Sequence, residues 1–247
     1  MGKVQRSRKA GLVSIAGSDN VQPFSREDGC WSPLDDDREQ SFRRHVRPYN
    51  ENQRLLMEAM TDHAVTLALG PAGTGKTYLA IAAAVEALDE GRIGRIILSR
   101  PAVEAGENLG YLPGGFEDKL LPYLRPLYDA LNDRLGARRL KALLGDGSIE
   151  IAPVAFMRGR TLNNAFIVID EAQNCTYMQI KMLLTRLGWH STMVVTGDPD
   201  QSDLLPGMSG LKDIANRLEP VEGIACIRLT EADVVRHPLV AEMLPYL

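Results

Sequence analysis

A chain of 247 residues with 45% hydrophobic content is long enough to bury an α/β core, and its formal net charge of −4 speaks against a uniformly basic nucleic-acid binder. Three cysteines, Cys30, Cys175 and Cys226, are odd in number and unclustered, which points away from a disulfide framework or a zinc site and toward a reducing cytoplasm. No apolar run is long enough to span a membrane, and none is expected as a partner.

Residues 1–46 read as a polar arm. They hold Asp35, Asp36 and Asp37 as well as Arg43 and Arg44, are interrupted by Gly17, Pro23, Gly29 and Pro33, and are expected to be disordered or loosely docked, leaving 47–247 as the folded domain. A helix over 51–60 precedes an apolar, β-prone run at 64–69. There follows Gly70-Pro71-Ala72-Gly73-Thr74-Gly75-Lys76-Thr77, which fills every fixed position of the pattern G-x-x-x-x-G-K-[ST], and an Ala- and Leu-rich helix over 76–90 that begins with Lys76, Thr77 and Tyr78. Strand, glycine loop and helix in that order make a phosphate cradle. Backbone N–H groups turn toward phosphate oxygens, the helix N-terminus adds about half a positive charge, Lys76 reaches the β- and γ-phosphates and the Thr77 hydroxyl holds Mg²⁺.

Further strands are expected at 94–99, 148–152, 165–170, 191–196 and 224–229, with helices at 176–187 and 209–218. The stretch from Glu117 to Leu143 is helical in composition, but Pro122 and Pro126 predict a break or kink. The fold class is α/β, a P-loop NTPase with a doubly wound, mainly parallel sheet and ligands at the strand ends. The unbroken apolar run Ala165 to Ile169 delivers Asp170 and Glu171 at the end of a buried strand. Asp170 then has the place of the acid that fixes Mg²⁺, and Glu171 that of the base that orients an attacking water. Hydrolysis is favoured over phosphoryl transfer, since a nucleotide kinase has no need of a Glu directly after the Asp. Met193 to Gln201 forms another strand ending in a polar turn, where a Thr, Asp or Gln can sense the γ-phosphate; an ordinary Asp-Pro turn is the plainer reading of Gly197, Asp198 and Pro199.

Together GPAGTGKT, Ser99 to Gly114 (SRPAVEAGENLGYLPG), Val168 to Asn174 (VIDEAQN), Thr196 to Leu204 (TGDPDQSDL), Ser209 to Leu211 (SGL) and Asp233 to Val240 (DVVRHPLV) resemble the PhoH family of ATPases over roughly Arg47 to Leu247. The core is in turn similar to the first, RecA-like motor domain of superfamily-one helicases. The resemblance implies ATP and Mg²⁺ as cofactors, Gln201 as the γ-phosphate sensor, and Gln53 as the reader of the adenine edge, a task that suits an amide carrying both donor and acceptor. It also implies a nucleic-acid contact in the segment of Ser99, Arg100, Gly106 and Asn108, with Arg125, Arg134, Arg138, Arg139, Lys141, Arg158 and Arg160 after it. The partner is then RNA or single-stranded DNA; solvated helix faces explain the same charges, and a nucleotide-dependent switch or scaffold acting on a protein is the alternative function. The residues after Gln201 are too few for a second motor domain. A transition-state arginine is therefore expected from Arg236, or failing that Arg228, of a neighbouring copy, which makes a homo-oligomer, with a ring favoured, the expected assembly.

Overall fold

In the central strand of this protein, alternate side chains point to opposite faces, and both faces are apolar. Phe166 and Val168 enter one core while Ala165, Ile167 and Ile169 enter another. Such a strand is stable only when helices cover both sides. The computed structural model describes residues 46–101 and 116–235 together with Leu239 and Met243, and side chains of the second stretch from residue 122.

In chain order the elements are α1 (Glu51–Asp62), β1 (Val65–Leu69), α2 (Lys76–Asp89), β2 (Arg95–Arg100), α3 (Phe116–Leu135), α4 (Ala137–Gly145), β3 (Ile149–Pro153), β4 (Ala165–Ile169), α5 (Tyr177–Leu184), β5 (Thr192–Gly197), α6 (Leu211–Leu218) and β6 (Ile224–Arg228). Among the described residues the strands form one six-stranded sheet in the order β3-β2-β4-β5-β1-β6, parallel throughout. Helices α1 to α4 cover one face through Leu56, Ile81, Val85, Leu127 and Leu131, and α5 and α6 cover the other through Ile180, Leu183, Leu211 and Ile214. This is the doubly wound P-loop arrangement expected from the glycine loop and the alternating strands and helices, and the RecA-like core that the family resemblance implies.

The order of the strands positions the site. The connection leaving β1 crosses toward β2, whereas that leaving its neighbour β5 crosses past β1 toward β6. A crevice opens where adjacent connections part, at the C-terminal ends of the strands. β5 lies between β1 and β4, so the glycine loop and the acid pair face each other across one intervening strand.

Two helices are shorter than expected. α5 begins at Tyr177 because Thr176 forms a capping box with Gln179, and Thr176 and Ser209 pair as an isolated bridge that also delays α6. At the other end of α5, Leu187 bridges to Leu162. The expected break at Pro122 and Pro126 is corrected: α3 runs through both prolines, and the chain breaks at Gly136 (φ 74°, ψ 155°). Both rings lie on the exposed face, opposite the buried Leu124, Leu127, Leu131 and Leu135, where they do not displace core side chains. The polar arm lies outside the described residues except for Val46.

Replacing Pro126 by Ala restores a missing N–H on a face where nothing needs the ring. Pro126→Ala is expected to raise stability by about 1–3 kcal/mol, part of the intrinsic helix penalty being offset by a looser unfolded chain. The urea unfolding midpoint checks this; a lower midpoint would mean that α3 needs the proline bend to lie on α2.

Candidate functional site

The end of β1 is forced to turn at once. Gly70 (φ 141°) is pressed against the chain that follows β6, where a Cβ would meet the Leu229 carbonyl oxygen at 2.3 Å. From there the loop winds through Gly73 and Gly75, at φ 84° and 85°, into α2. Gly75 occupies the N-cap of α2 without any side-chain cap bond. The helix thus presents bare N–H groups and the positive end of its dipole to the crevice. Lys76 is buried and folds back over the loop, its ammonium donating to the carbonyls of Gly70 at 2.6 Å and Pro71 at 2.7 Å. Burial holds its pKa below the ordinary lysine value, against the opposing pull of Asp198, Glu171 and Asp170.

Asp170 leaves β4 as a buried carboxylate with donors from three other elements. Its Oδ1 accepts from Thr77 Oγ1 at 2.5 Å, in α2, and from Thr196 Oγ1 at 2.8 Å, in β5, while Oδ2 lies 3.5 Å from Arg100 Nη1 at the end of β2. Its N–H donates to the Ser99 carbonyl at 2.8 Å. Glu171 follows in a left-handed conformation, φ 52° and ψ 43°, which costs a residue with a Cβ on the order of 1 kcal/mol and recurs at functional turns. One of its oxygens lies 3.7 Å from Arg100 Nη2, and the other accepts from the Gln173 amide.

Gln173 ties the acids to the turn after β5. It is buried, and its Oε1 accepts the Asp198 N–H at 3.1 Å while its carbonyl accepts from Ser202 Oγ at 2.9 Å. Asn174 and Asp203 exchange two further bonds, of 2.7 and 2.9 Å. The turn after β5 is therefore stitched to the turn after β4 at several points.

A cleft of about 350 Å³ opens between these turns, lined by Ala72, Gly73, Gly75, Lys76, Thr77 and Tyr78 from the loop side, Asp170, Glu171 and Gln173 from β4, and Thr196, Gly197, Asp198 and Gln201 from β5. Thr77, Asp170, Glu171 and Gln201, all expected at the site, are brought together here. Gly70 and Pro71 instead line a neighbouring cleft with Arg228, and Thr74 is buried with its hydroxyl turned to the Pro71 carbonyl at 2.9 Å. Arg228 is paired with Glu219 at 3.5 Å. Arg236, Gly106 and Asn108 lie outside the described residues.

Gln53 is placed against the back of the loop. Its amide nitrogen donates to the Thr74 carbonyl at 3.0 Å and its oxygen accepts the Tyr49 N–H at 2.8 Å, so an adenine edge would have to use the remaining hydrogen and lone pair of a residue only 2% exposed. Ser99 is fully buried, which corrects its expected surface contact, and Arg100 turns toward the acids. Of the remaining basic residues, Arg139 pairs with Asp89 and Arg160 with Glu150, whereas Arg125, Lys141 and Arg158 are exposed.

The donor set fits a hard cation. Thr77 Oγ1 and Asp170 Oδ1 are adjacent oxygens at the mouth of the phosphate loop, the kind of ligand pair that Mg²⁺ shares with phosphate. Among the described residues no group of three His, Cys, Asp or Glu could hold a metal by itself, and no helix is long and apolar enough to cross a membrane. Cys175 and Cys226 are free, and burial pushes the Cys175 thiol up to about 12, out of reach of thiolate chemistry.

Spacing alone did not reveal Gln173 or the direction of Arg100, and Thr196, offered as a γ-phosphate sensor, donates instead to Asp170. The strings DEAQN and VVTGD contain Gln173 and Thr196, but the contacts they make depend on β4 and β5 being neighbours.

The family model for PhoH-like protein matches residues 45–247. The PhoH-like proteins of Bacillus subtilis (strain 168) and Mycobacterium tuberculosis (strain ATCC 25618 / H37Rv) are each 54% identical to this chain, over 81% and 80% of it. Protein PhoH of Escherichia coli (strain K12) is 46% identical over 77%. The chain spans 63%, 56% and 54% of those relatives' own lengths. Of solved structures, the SWI2/SNF2 ATPase core of Sulfolobus solfataricus in complex with dsDNA aligns over 76% of this chain and 45% of that one, at 20% identity and a TM-score of 0.46. Because the family match runs through every element around the cleft, the chain belongs to the PhoH family and is a nucleotide-binding P-loop protein.

Proposed function

We propose that this protein binds ATP with Mg²⁺, hydrolyses it, and couples the cycle to RNA or single-stranded DNA. The observation that carries hydrolysis is the pairing of Thr77 with Asp170 at 2.5 Å while Glu171 stands beside them in the same cleft. Mg²⁺ held there would neutralise charge on the β- and γ-phosphates. The loop N–H groups and the start of α2 bind the phosphates, and Lys76 exchanges the Gly70 and Pro71 carbonyls for phosphate oxygens. Glu171, restrained by Gln173 and Arg100, orients a water for in-line attack and accepts its proton. Gln201, at the rim, reads the presence of the γ-phosphate, and the Gln173 to Asp198 bond passes the change to the loop after β5. Arg100 gives the acids a guanidinium from their own chain, and the arginine for the charge that develops on the γ-phosphate is assigned to Arg236, or failing that Arg228, of a neighbouring copy in a homo-oligomer.

Two variants separate binding from chemistry. Lys76→Ala is expected to abolish tight ATP binding, whereas Glu171→Gln should bind ATP normally and lose turnover by a factor of about 10² or more. Equilibrium binding of a fluorescent ATP analogue and phosphate release read the two quantities. Normal turnover in Glu171→Gln would overturn the assignment of the base.

The nucleic-acid half of the proposal is supported by the exposed Arg125, Lys141 and Arg158, whose phosphate contacts would be independent of sequence. A second reading, a switch acting on a protein, is favoured by Met178, Leu205 and Met208, which are 68%, 76% and 51% exposed on segments adjoining the acid turn. Single-stranded RNA or DNA at low salt is expected to stimulate ATP turnover, with the stimulation falling as salt rises. Turnover indifferent to both polymers would remove the nucleic-acid role and leave the switch.

A further inference from the structure

The residues that shape a phosphate loop include those that grip it from behind. Two consecutive carbonyls of this loop point away from the cleft and each is held by a different segment. The Gly73 oxygen accepts the Val235 N–H at 2.9 Å, and the Thr74 oxygen accepts Gln53 Nε2 at 3.0 Å. In a trans peptide the C=O and the following N–H are antiparallel. Fixing the Gly73 carbonyl on the back of the loop therefore aims the Thr74 N–H forward, and fixing the Thr74 carbonyl sets the Gly75 N–H in the same way.

The two holding segments are joined to one another mainly at one carboxylate, with a longer bond of 3.5 Å from Asn50 Nδ2 to the Asp233 backbone carbonyl beside it. Asp233 is 5% exposed, and its Oδ2 accepts from Asn52 Nδ2 at 2.8 Å, from the Thr230 N–H at 2.7 Å and from Thr230 Oγ1 at 3.1 Å. Asn52 lies in the first turn of α1 beside Gln53, whose own N–H is capped by Asn50 Oδ1 at 2.8 Å. Val235 lies two residues beyond Asp233. Burial raises the Asp233 carboxyl, but the Asn52 amide and the Thr230 donors outweigh it and hold the group below the usual carboxylate range.

We infer that Asp233 is a positioning residue for nucleotide binding, which orients the anion-binding N–H groups of the phosphate loop by clamping the turn after β6 to the first turn of α1. It touches neither phosphate nor metal; its effect reaches the cleft through Val235 and Gln53. The inference rests on the nucleotide-binding reading of the cleft. It also ties Val235 to the loop, since the Val235 N–H is bonded to the Gly73 carbonyl.

The test compares Asp233→Ala, Asp233→Asn, Asn52→Ala and the Asn52→Ala/Asp233→Ala double variant in the full chain, with equilibrium binding of a fluorescent ATP analogue, KM and kcat as readouts. Asp233→Ala is expected to weaken binding and raise KM on the order of tenfold, with kcat changed no more than about threefold. Asp233→Asn, which keeps an oxygen for the same donors, should fall between it and the unaltered chain. Asn52→Ala should act in the same direction, and the double variant should bind little worse than Asp233→Ala alone, because both break one link. If Asp233→Ala does not fold, the Asn and Asn52 variants still decide. Unchanged affinity, a loss confined to kcat, or independent additive losses would overturn the inference. An unaltered chain that binds no nucleotide would remove the underlying reading as well, whereas normal binding in every variant removes the inference alone.

Discussion

A carboxylate taken out of water must find donors, and in this protein the buried Asp170 finds them in three other elements at once. Thr77 from α2, Thr196 from β5 and Arg100 from β2 converge on its two oxygens. Leaving such a group unpaired would cost several kcal/mol, on the order of 3–5 where one partner of a buried pair is removed. The sheet order follows the same need: β4 must sit between β2 and β5, with β1 next beyond, for the three donors to reach one acid. What holds the strand ends together is thus also what would hold a cation and a triphosphate. Stability and function draw on the same set of oxygen and nitrogen atoms.

Around that centre the rigidity is graded. The Asp170 side has three donors and a fully apolar strand behind it. Glu171 sits on a strained turn, held by one amide and a looser guanidinium. Gln201 lies at an exposed rim, with its backbone bonded to Asp198 at 3.2 Å. In the proposed cycle, metal position, base orientation and phosphate sensing would thus fall on groups of decreasing restraint, which suits a site whose outer parts must move while its inner part does not.

Much of this was legible beforehand because the determining residues are consecutive. A parallel strand buried on both faces is an apolar run, so β1, β4 and β5 could be located from composition, and the acids stood at the end of such a run. The glycine loop is local in the same sense. Contacts between segments distant in sequence were not legible: Gln173 on the Asp198 N–H, Arg100 on the acids, and Asn52 on Asp233 depend on which strands and turns become neighbours. The prolines of α3 misled for a different reason. The rule against proline in helices takes no account of the face on which the ring lies, and here both rings lie on the exposed face, where they do not displace core side chains.

The position of β1 has a consequence for the order in which the molecule assembles. Its neighbours in the sheet are β5 and β6, the last two strands among the described residues, and not β2 or β3, which are made sooner. Pairings so distant in sequence close large loops and form slowly. During synthesis β1 is made well before β5 and β6, so the strand that leads into the glycine loop waits for its two sheet neighbours. The phosphate loop therefore gains its support late, when β1 is flanked by β5 and β6, and a nucleotide that binds the loop favours molecules in which these strands have paired.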